Sequence, residues 1–351
     1  MRSYDIAVIP GDGIGVDVIA AGKRVLESAA GNAFSLSWHD LDWSCARYRL
    51  KGAMMPADGL RELERRDAIY LGAVGDPTVP DHVSLWGLLL PIRQAFDLYA
   101  NVRPVRLLAG VPSVLRDRTA RDIDMVYVRE NSEGEYAGVG GRLREGSPGE
   151  VATQTAVFTR SGTERVVRYA FELARARPRK LLASCTKSNA LRYTAVLWDE
   201  VVAAVARDYP EVRVEKYLVD ALAARMVARP DTLDVVVASN LFADILTDLG
   251  GAIAGSLGMA ASANLDPSRA HPSLFEPVHG SAPDIAGKGI ANPVGAIWAG
   301  ALMLEHLGER ETAARVLRAI ERAMAAKTNH TPDLGGGAGT DDVTNAILGA
   351  L

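Results

Sequence analysis

Two aspartates four residues apart, Asp244 and Asp248, stand in the run SNLFADILTDLGG, directly after the apolar stretch 234–238. On a helix that spacing puts both carboxylates on one face, and hard oxygen donors so placed suit Mg2+ or Mn2+. A D-x-x-x-D pair more often simply faces water. Here Leu241, Phe242, Ile245 and Leu249 crowd around it, which makes plain solvation a poorer account. Arg93 and Arg103 flank an amphipathic stretch, and Arg129 lies on the expected strand Tyr127-Val128-Arg129-Glu130 among residues that otherwise read as buried. An arginine in such a place needs an anion, either a structural carboxylate or a carboxylated or phosphorylated ligand. Lys187 in SCTKSN and Tyr136 in EGEY are candidates for proton transfer, set against the commoner readings of a surface lysine and a core or rim tyrosine.

Two further segments are built for close backbone approach. Pro10-Gly11-Asp12-Gly13-Ile14-Gly15 follows a predicted strand and precedes a predicted helix, so its amides either meet an anion or make a tight turn. It is not the dinucleotide fingerprint, because a Rossmann G-x-G-x-x-G needs its third glycine where Val16 stands. The block from Phe275 to Gly287, FEPVHGSAPDIAG, closed by Ala291-Asn292-Pro293, is dense in glycine, proline and hydrogen-bonding residues. That describes an ordered functional loop, in which a lone His279 serves structure as readily as a ligand.

The elements that must hold these residues alternate. Short β-branched runs at 6–9, 68–71, 125–128 and 235–238 are separated by helical patterns such as 16–29 and 163–176. That is the pattern of an α/β protein with a substantially parallel core. Between Gly138 and Gly149 the chain turns glycine-rich and charged, and 151–158 then alternates as a half-exposed strand does, so an inserted arm is expected at about 138–158. A loop at Gly335 to Gly337 precedes a last short helix at 341–348.

Composition excludes several classes. The chain has 351 residues, 48% hydrophobic and 23% charged, enough for two domains and too apolar for disorder. A net charge of -4 with dispersed basic residues gives no nucleic-acid or acidic-membrane footprint. No run reaches the roughly 18 apolar residues of a membrane span and the start has no signal-peptide core, so a cytoplasmic protein is expected. Cys45 and Cys185 lie far apart in no metal or redox spacing, as plain buried hydrophobes of a reduced compartment would.

Taken together, PGDGIG, the Arg-Pro after Asn101-Val102, VRENSEGEYAG, TKSN, SNLFADILTDLGG and FEPVHGSAPDIAGKGIANP resemble the isocitrate and isopropylmalate dehydrogenase family of metal-dependent β-decarboxylating dehydrogenases, from Ile6 to the C-terminal helix. The stretch from Val79 to Arg93, VPDHVSLWGLLLPIR, is most similar to the tartrate and D-malate dehydrogenase branch. The resemblance implies two α/β domains sharing an extended sheet, about 1–99 with 253–351 and 100–252, and not a standard Rossmann fold. It also implies that the arm is a dimer clasp and that the site is shared between the subunits of a homodimer. Matched by position, Arg93, Arg103 and Arg129 grip substrate carboxylates and Asp220, Asp244 and Asp248 hold Mg2+ or Mn2+. Lys187 accepts the hydroxyl proton and Tyr136 protonates the product enolate, with Asp220 and Lys187 coming from the partner subunit. Ile14, Glu276, His279, Gly280, Ser281, Ala282, Asp284, Ile285 and Asn292 match the cofactor positions. Asp284 with Ile285 indicates NAD, since a carboxylate accepts from the ribose 2′-hydroxyl and repels a 2′-phosphate. Some relatives also require a monovalent cation such as K+.

The substrate turns on four residues. Isopropylmalate enzymes carry a glutamate seven positions before the first arginine, where this chain has Trp86, while Leu89 and Leu90 keep an apolar surface. The serine and asparagine that isocitrate enzymes offer to the third carboxylate are replaced by Gly87 and Leu89. D-malate or tartrate is therefore expected, with 3-isopropylmalate second. A non-catalytic regulatory paralogue is disfavoured because the proton-transfer and metal sets are complete. A phosphoryl-transfer enzyme is disfavoured because Val16 and Asp17 follow the glycines where such a cradle wants lysine and a hydroxyl.

Overall fold

The computed structural model describes residues 2–351. Among them twelve strands form: β1 (Arg2–Gly11), β2 (Phe34–Asp40), β3 (Ala68–Ala73), β4 (Ala100–Arg106), β5 (Asp124–Glu130), β6 (Gly134–Leu143), β7 (Val151–Val157), β8 (Leu181–Thr186), β9 (Arg213–Leu218), β10 (Val235–Ala238), β11 (Ala261–Leu265) and β12 (Ser273–Pro277). The chain divides into two compact units. The first runs to Leu98 and adds Arg103–Ile123 and Gly250–Leu351; the second comprises Tyr99–Val102 and Asp124–Leu249.

In the first unit the strand order is β2-β1-β3-β12-β11, parallel except for the β11–β12 pair. A β2-β1-β3 order departs from the 3-2-1 start of the Rossmann sheet, as the displaced third glycine predicts. The helix Ile14–Ala30 buries Ile14, Val18, Ile19, Val25 and Leu26 on one stripe and stops at Gly31, whose φ of 51° suits a residue without Cβ. On the other side Trp43, Met54, Leu63, Leu88, Ile92 and Phe96 pack with Ile69 and Leu71 of β3.

The second unit is the parallel set β5-β10-β8-β9. Its strands β8 and β10 are buried throughout; β10 reads as an unbroken apolar run, and in β8 only Ser184 and Thr186 interrupt one. Val166, Val167, Ala170, Phe171 and Ala174 of the helix Arg160–Ala176 pack with Trp198, Val201, Val202 and Val205 of the helix Thr194–Val205 against Val128, Leu182, Val235 and Val237. The arm is an antiparallel hairpin of β6 and β7, with Val139 opposite Thr155 and Leu143 opposite Val151. Both cysteines are buried, and burial pushes each thiol up to about 12, so neither is a nucleophile at neutral pH. No helix among the described residues is long and apolar enough to cross a membrane.

Candidate active site

Three of the expected residues meet in the second unit. Arg129, at the end of β5 and 2% exposed, forms an ion pair through Nη1 with Asp244 Oδ1. Tyr136, two residues into β6, donates from its hydroxyl to the other oxygen of that carboxylate at 3.1 Å, and its ring lies 5.6 Å from the guanidinium carbon. Burial first, and the Asp244 charge second, raise the phenol pKa above its usual value, so the hydroxyl keeps its proton. Asp244 and Asp248 both lie on the helix Asn240–Ile253, one turn apart.

The residue that fixes this arrangement is Asn240, to which the sequence assigned no role. Its Oδ1 accepts from Arg129 Nε at 2.9 Å and Nη2 at 2.7 Å, while its Nδ2 donates to the Glu133 carbonyl at 3.0 Å. Glu135 supports the same helix end, accepting from the Leu241 amide at 3.1 Å and the Ser239 hydroxyl at 3.2 Å. Between the two glutamates Gly134 adopts φ 77°, and a Cβ there would come within 3.2 Å of Asn240. The EGEY segment thus clamps the helix that carries the paired aspartates, and places Tyr136 over them.

Lys187 and Asp220 form a separate pair. Lys187 Nζ, just past β8, donates to Asp220 Oδ1 at 2.5 Å, and this contact holds the Asp220 carboxyl below its usual range. Among the described residues no three His, Cys, Asp or Glu side chains gather into one metal-binding group. The expected residues therefore fall into two groups, Arg129–Tyr136–Asp244 with Asp248 on the same helix, and Lys187–Asp220.

In the first unit Arg93, 4% exposed, pairs through Nη2 with Glu276 Oε1 at 2.9 Å, and the same oxygen accepts from Asn264 Nδ2 at 2.8 Å. A residue expected for substrate is thereby tied to one expected for cofactor. Arg93 Nε is buried with no partner in the chain. Arg103, on β4, is likewise buried. The glycine turn is packed rather than open: Ile14 N–H donates to the Ser281 carbonyl at 2.8 Å, and a Cβ on Gly13 would lie 2.0 Å from that oxygen. Asp12 accepts from the amides of Cys45 and Gly75. These contacts hold PGDGIG as a tight turn against the 281 backbone. Ile285 joins Ile14 and Val18 in a small apolar cluster with Ala282, which has a φ of 39°. Gly280 and Asp284 are exposed, whereas Asn292 is buried between the Val294 amide and Asp333. His279 has Nδ1 2.9 Å from the Gly280 carbonyl and a buried Nε2 without a partner; desolvation lowers its pKa, favouring the neutral ring.

The helical segment 81–95 carries the residues read for specificity. It widens into a π-turn at Leu85–Leu89 between α-helical pieces. Trp86 is 41% exposed, Leu89 half-buried against the core, and Leu90 buried, so Leu90 offers little of the apolar surface assigned to it.

Residues 5–347 match the model of the isocitrate/isopropylmalate dehydrogenase family. The chain belongs to that family. A probable tartrate dehydrogenase/decarboxylase of Agrobacterium vitis is 56% identical, covering 100% of this chain and 98% of that one. A D-malate dehydrogenase (decarboxylating) of Escherichia coli K12 is 55% identical over 99% and 98% of the two chains. The crystal structure of an isocitrate dehydrogenase from Methylococcus capsulatus superposes with a TM-score of 0.90 at 37% identity, covering 99% of both chains.

A divalent ion suits the carboxylates this family member presents. Asp244 and Asp248 supply hard oxygens from one helix face, and Asp220 supplies a third, largely exposed one. A nucleotide suits the 276–292 loop through the unengaged imidazole nitrogen of His279 and the exposed carboxylate of Asp284.

Proposed function

We propose that the chain oxidises and decarboxylates D-malate, to pyruvate and carbon dioxide, and/or tartrate, using NAD and Mg2+ or Mn2+. It is a decarboxylating dehydrogenase acting on the CH–OH group of a hydroxy diacid. What supports the narrower substrate is identity of 50–56%, across the full chain, to relatives named for tartrate and D-malate. Trp86, exposed on the π-turn, agrees with a small substituent on the carbon beside the alcohol.

In this reading Arg93, Arg103 and Arg129 take the diacid's carboxylates; all three are nearly buried, where screening by water is weak. A divalent ion held by Asp244, Asp248 and the partner subunit's Asp220, together with NAD, supplies Lewis acidity and the hydride acceptor when bound. The partner subunit's Lys187 takes the hydroxyl proton as hydride leaves the carbinol carbon. The β-carboxylate then departs as carbon dioxide, its bonding pair stays on the carbon skeleton as an enolate, and Tyr136 returns a proton to that carbon. Ile14, Glu276, His279, Gly280, Ser281, Ala282, Asp284, Ile285 and Asn292 receive the cofactor, Asp284 selecting NAD over NADP through the ribose 2′-hydroxyl. Homodimerisation through the β6–β7 arm supplies the second group. A lone two-stranded ribbon is marginal by itself, and this one exposes Val139, Leu143 and Val151.

The test is NADH formation with Mn2+, comparing kcat/KM for D-malate, L-tartrate, meso-tartrate, 3-isopropylmalate and isocitrate, with NADP and K+ as added arms. D-malate or tartrate leading with NAD is expected. Isopropylmalate leading would overturn the substrate, and silence throughout would favour a regulatory paralogue.

A further inference from the structure

Gly87 occupies the middle of the π-turn Leu85–Leu89, and its neighbour across the fold is Met54. A Cβ at position 87 would lie 2.7 Å from Met54 Cγ and 3.2 Å from Met54 Cβ. Met54 cannot easily yield. It is 2% exposed, sits in the connection between the helices Cys45–Lys51 and Gly59–Leu63, and packs in the core group that also holds Leu88 and Ile92. The two flanks of Gly87 differ sharply: Leu88 is fully buried in that core, whereas Leu85 and Trp86 are the exposed large apolar residues of the segment. A π-turn admits an extra residue per turn and swings its side chains off the α-helical stripe. Here the missing side chain at position 87 lets the backbone settle onto Met54.

We propose that Met54 is a specificity-determining residue acting through Gly87: the contact fixes the height of the π-turn, and with it the room left beside the alcohol carbon. The inference rests on the reading that this segment faces a 2-hydroxy diacid. Met54 touches neither substrate nor cofactor and is a positioning residue. A methyl group at 87 restores ordinary contact only if the turn lifts by several tenths of an ångström, and misplacement on the ångström scale costs about tenfold to a hundredfold in turnover. Shortening Met54 opens space beneath the glycine, so the turn settles deeper and a bulkier substituent is admitted.

Gly87→Ala, Met54→Ala and the double variant are purified beside the parent, and their melting is recorded to confirm folding. The parent's kcat/KM for D-malate, L-tartrate and 3-isopropylmalate and its KM for NAD give the baseline. Gly87→Ala should lose about tenfold or more in kcat/KM for the small diacids with the KM for NAD unmoved, and the double variant should recover most of it. Met54→Ala alone should shift the preference towards isopropylmalate by about fivefold or more; if the alanine variant fails to fold, the Gly87→Ala loss for the small diacids carries the test. A Gly87→Ala enzyme with the parent's kcat/KM for the small diacids, or a loss that Met54→Ala does not relieve, overturns the inference alone. A parent that turns over none of the diacids overturns the function it rests on, and the inference with it.

Discussion

Replacing Glu276 with glutamine isolates what the Arg93 ion pair does. The two side chains are 5% and 9% exposed and 2.9 Å apart, so the guanidinium has lost most of its hydration and depends on this carboxylate. Removing one partner of a buried pair costs about 3–5 kcal/mol. Glutamine keeps the shape and an acceptor for Asn264, so the low end, about 3 kcal/mol, applies. At about 2 °C per kcal/mol for a chain of this size, the denaturation midpoint should fall by about 6 °C. The diacid supplies the diagnostic. If Arg93 meets a substrate carboxylate, that carboxylate partly replaces the missing charge, and saturating D-malate without NAD should raise the variant's midpoint more than the parent's. Scanning fluorimetry at neutral pH, with and without D-malate, reads both quantities. A variant midpoint within about 1 °C of the parent would show that the pair does not carry the compensation assigned to it. Equal shifts on adding D-malate would remove Arg93 from the carboxylate site.

Asn240→Ala strips Arg129 of the acceptor for two of its donors. Bonds to charged groups are worth about 1.5–3 kcal/mol each, so the KM for the diacid should rise by tenfold or more while the KM for NAD stays put; steady-state kinetics in both substrates checks this. His306, beside Phe275, has its pKa lowered to about 4 by burial and by Arg269. It is neutral in the fold while the unfolded chain protonates near 6.5, so stability is full above that pH and declines as pH falls from 6.5 to 4, by at most about 3 kcal/mol. His306→Gln should flatten the melting-versus-pH curve in that window, and an unchanged slope would contradict the assignment. Leu143→Asp with Val151→Asp puts charge on the exposed apolar face of the arm; light scattering should show the particle mass halved and the assay should show turnover lost.

Much of the framework was legible in the residues themselves. The alternation of apolar runs with helical stripes indicated an α/β chain, and β10 appears where an unbroken run of buried apolar residues lies. The start of the first long helix lies two residues before the predicted one and the last helix one residue before, the usual uncertainty of end turns. The arm begins at Gly134, four residues ahead of the glycine-rich stretch that marked it, because its inner residues are half-buried and carry no compositional signal.

The spacing of Asp244 and Asp248, the displaced third glycine and the inert cysteines followed from the sequence alone, because helical periodicity, glycine placement and thiol spacing are written within a few residues. Tertiary structure decided the pairings. Arg129 finds Asn240 across 111 positions and Arg93 finds Glu276 across 183, distances over which no local rule operates. It also decided that the PGDGIG turn is closed by Ser281 and that Gly87 is a glycine on account of Met54. Local propensity records which chemistry a segment can offer; which partner receives it depends on which strands lie side by side, and that is settled only when the sheets form and their helices pack.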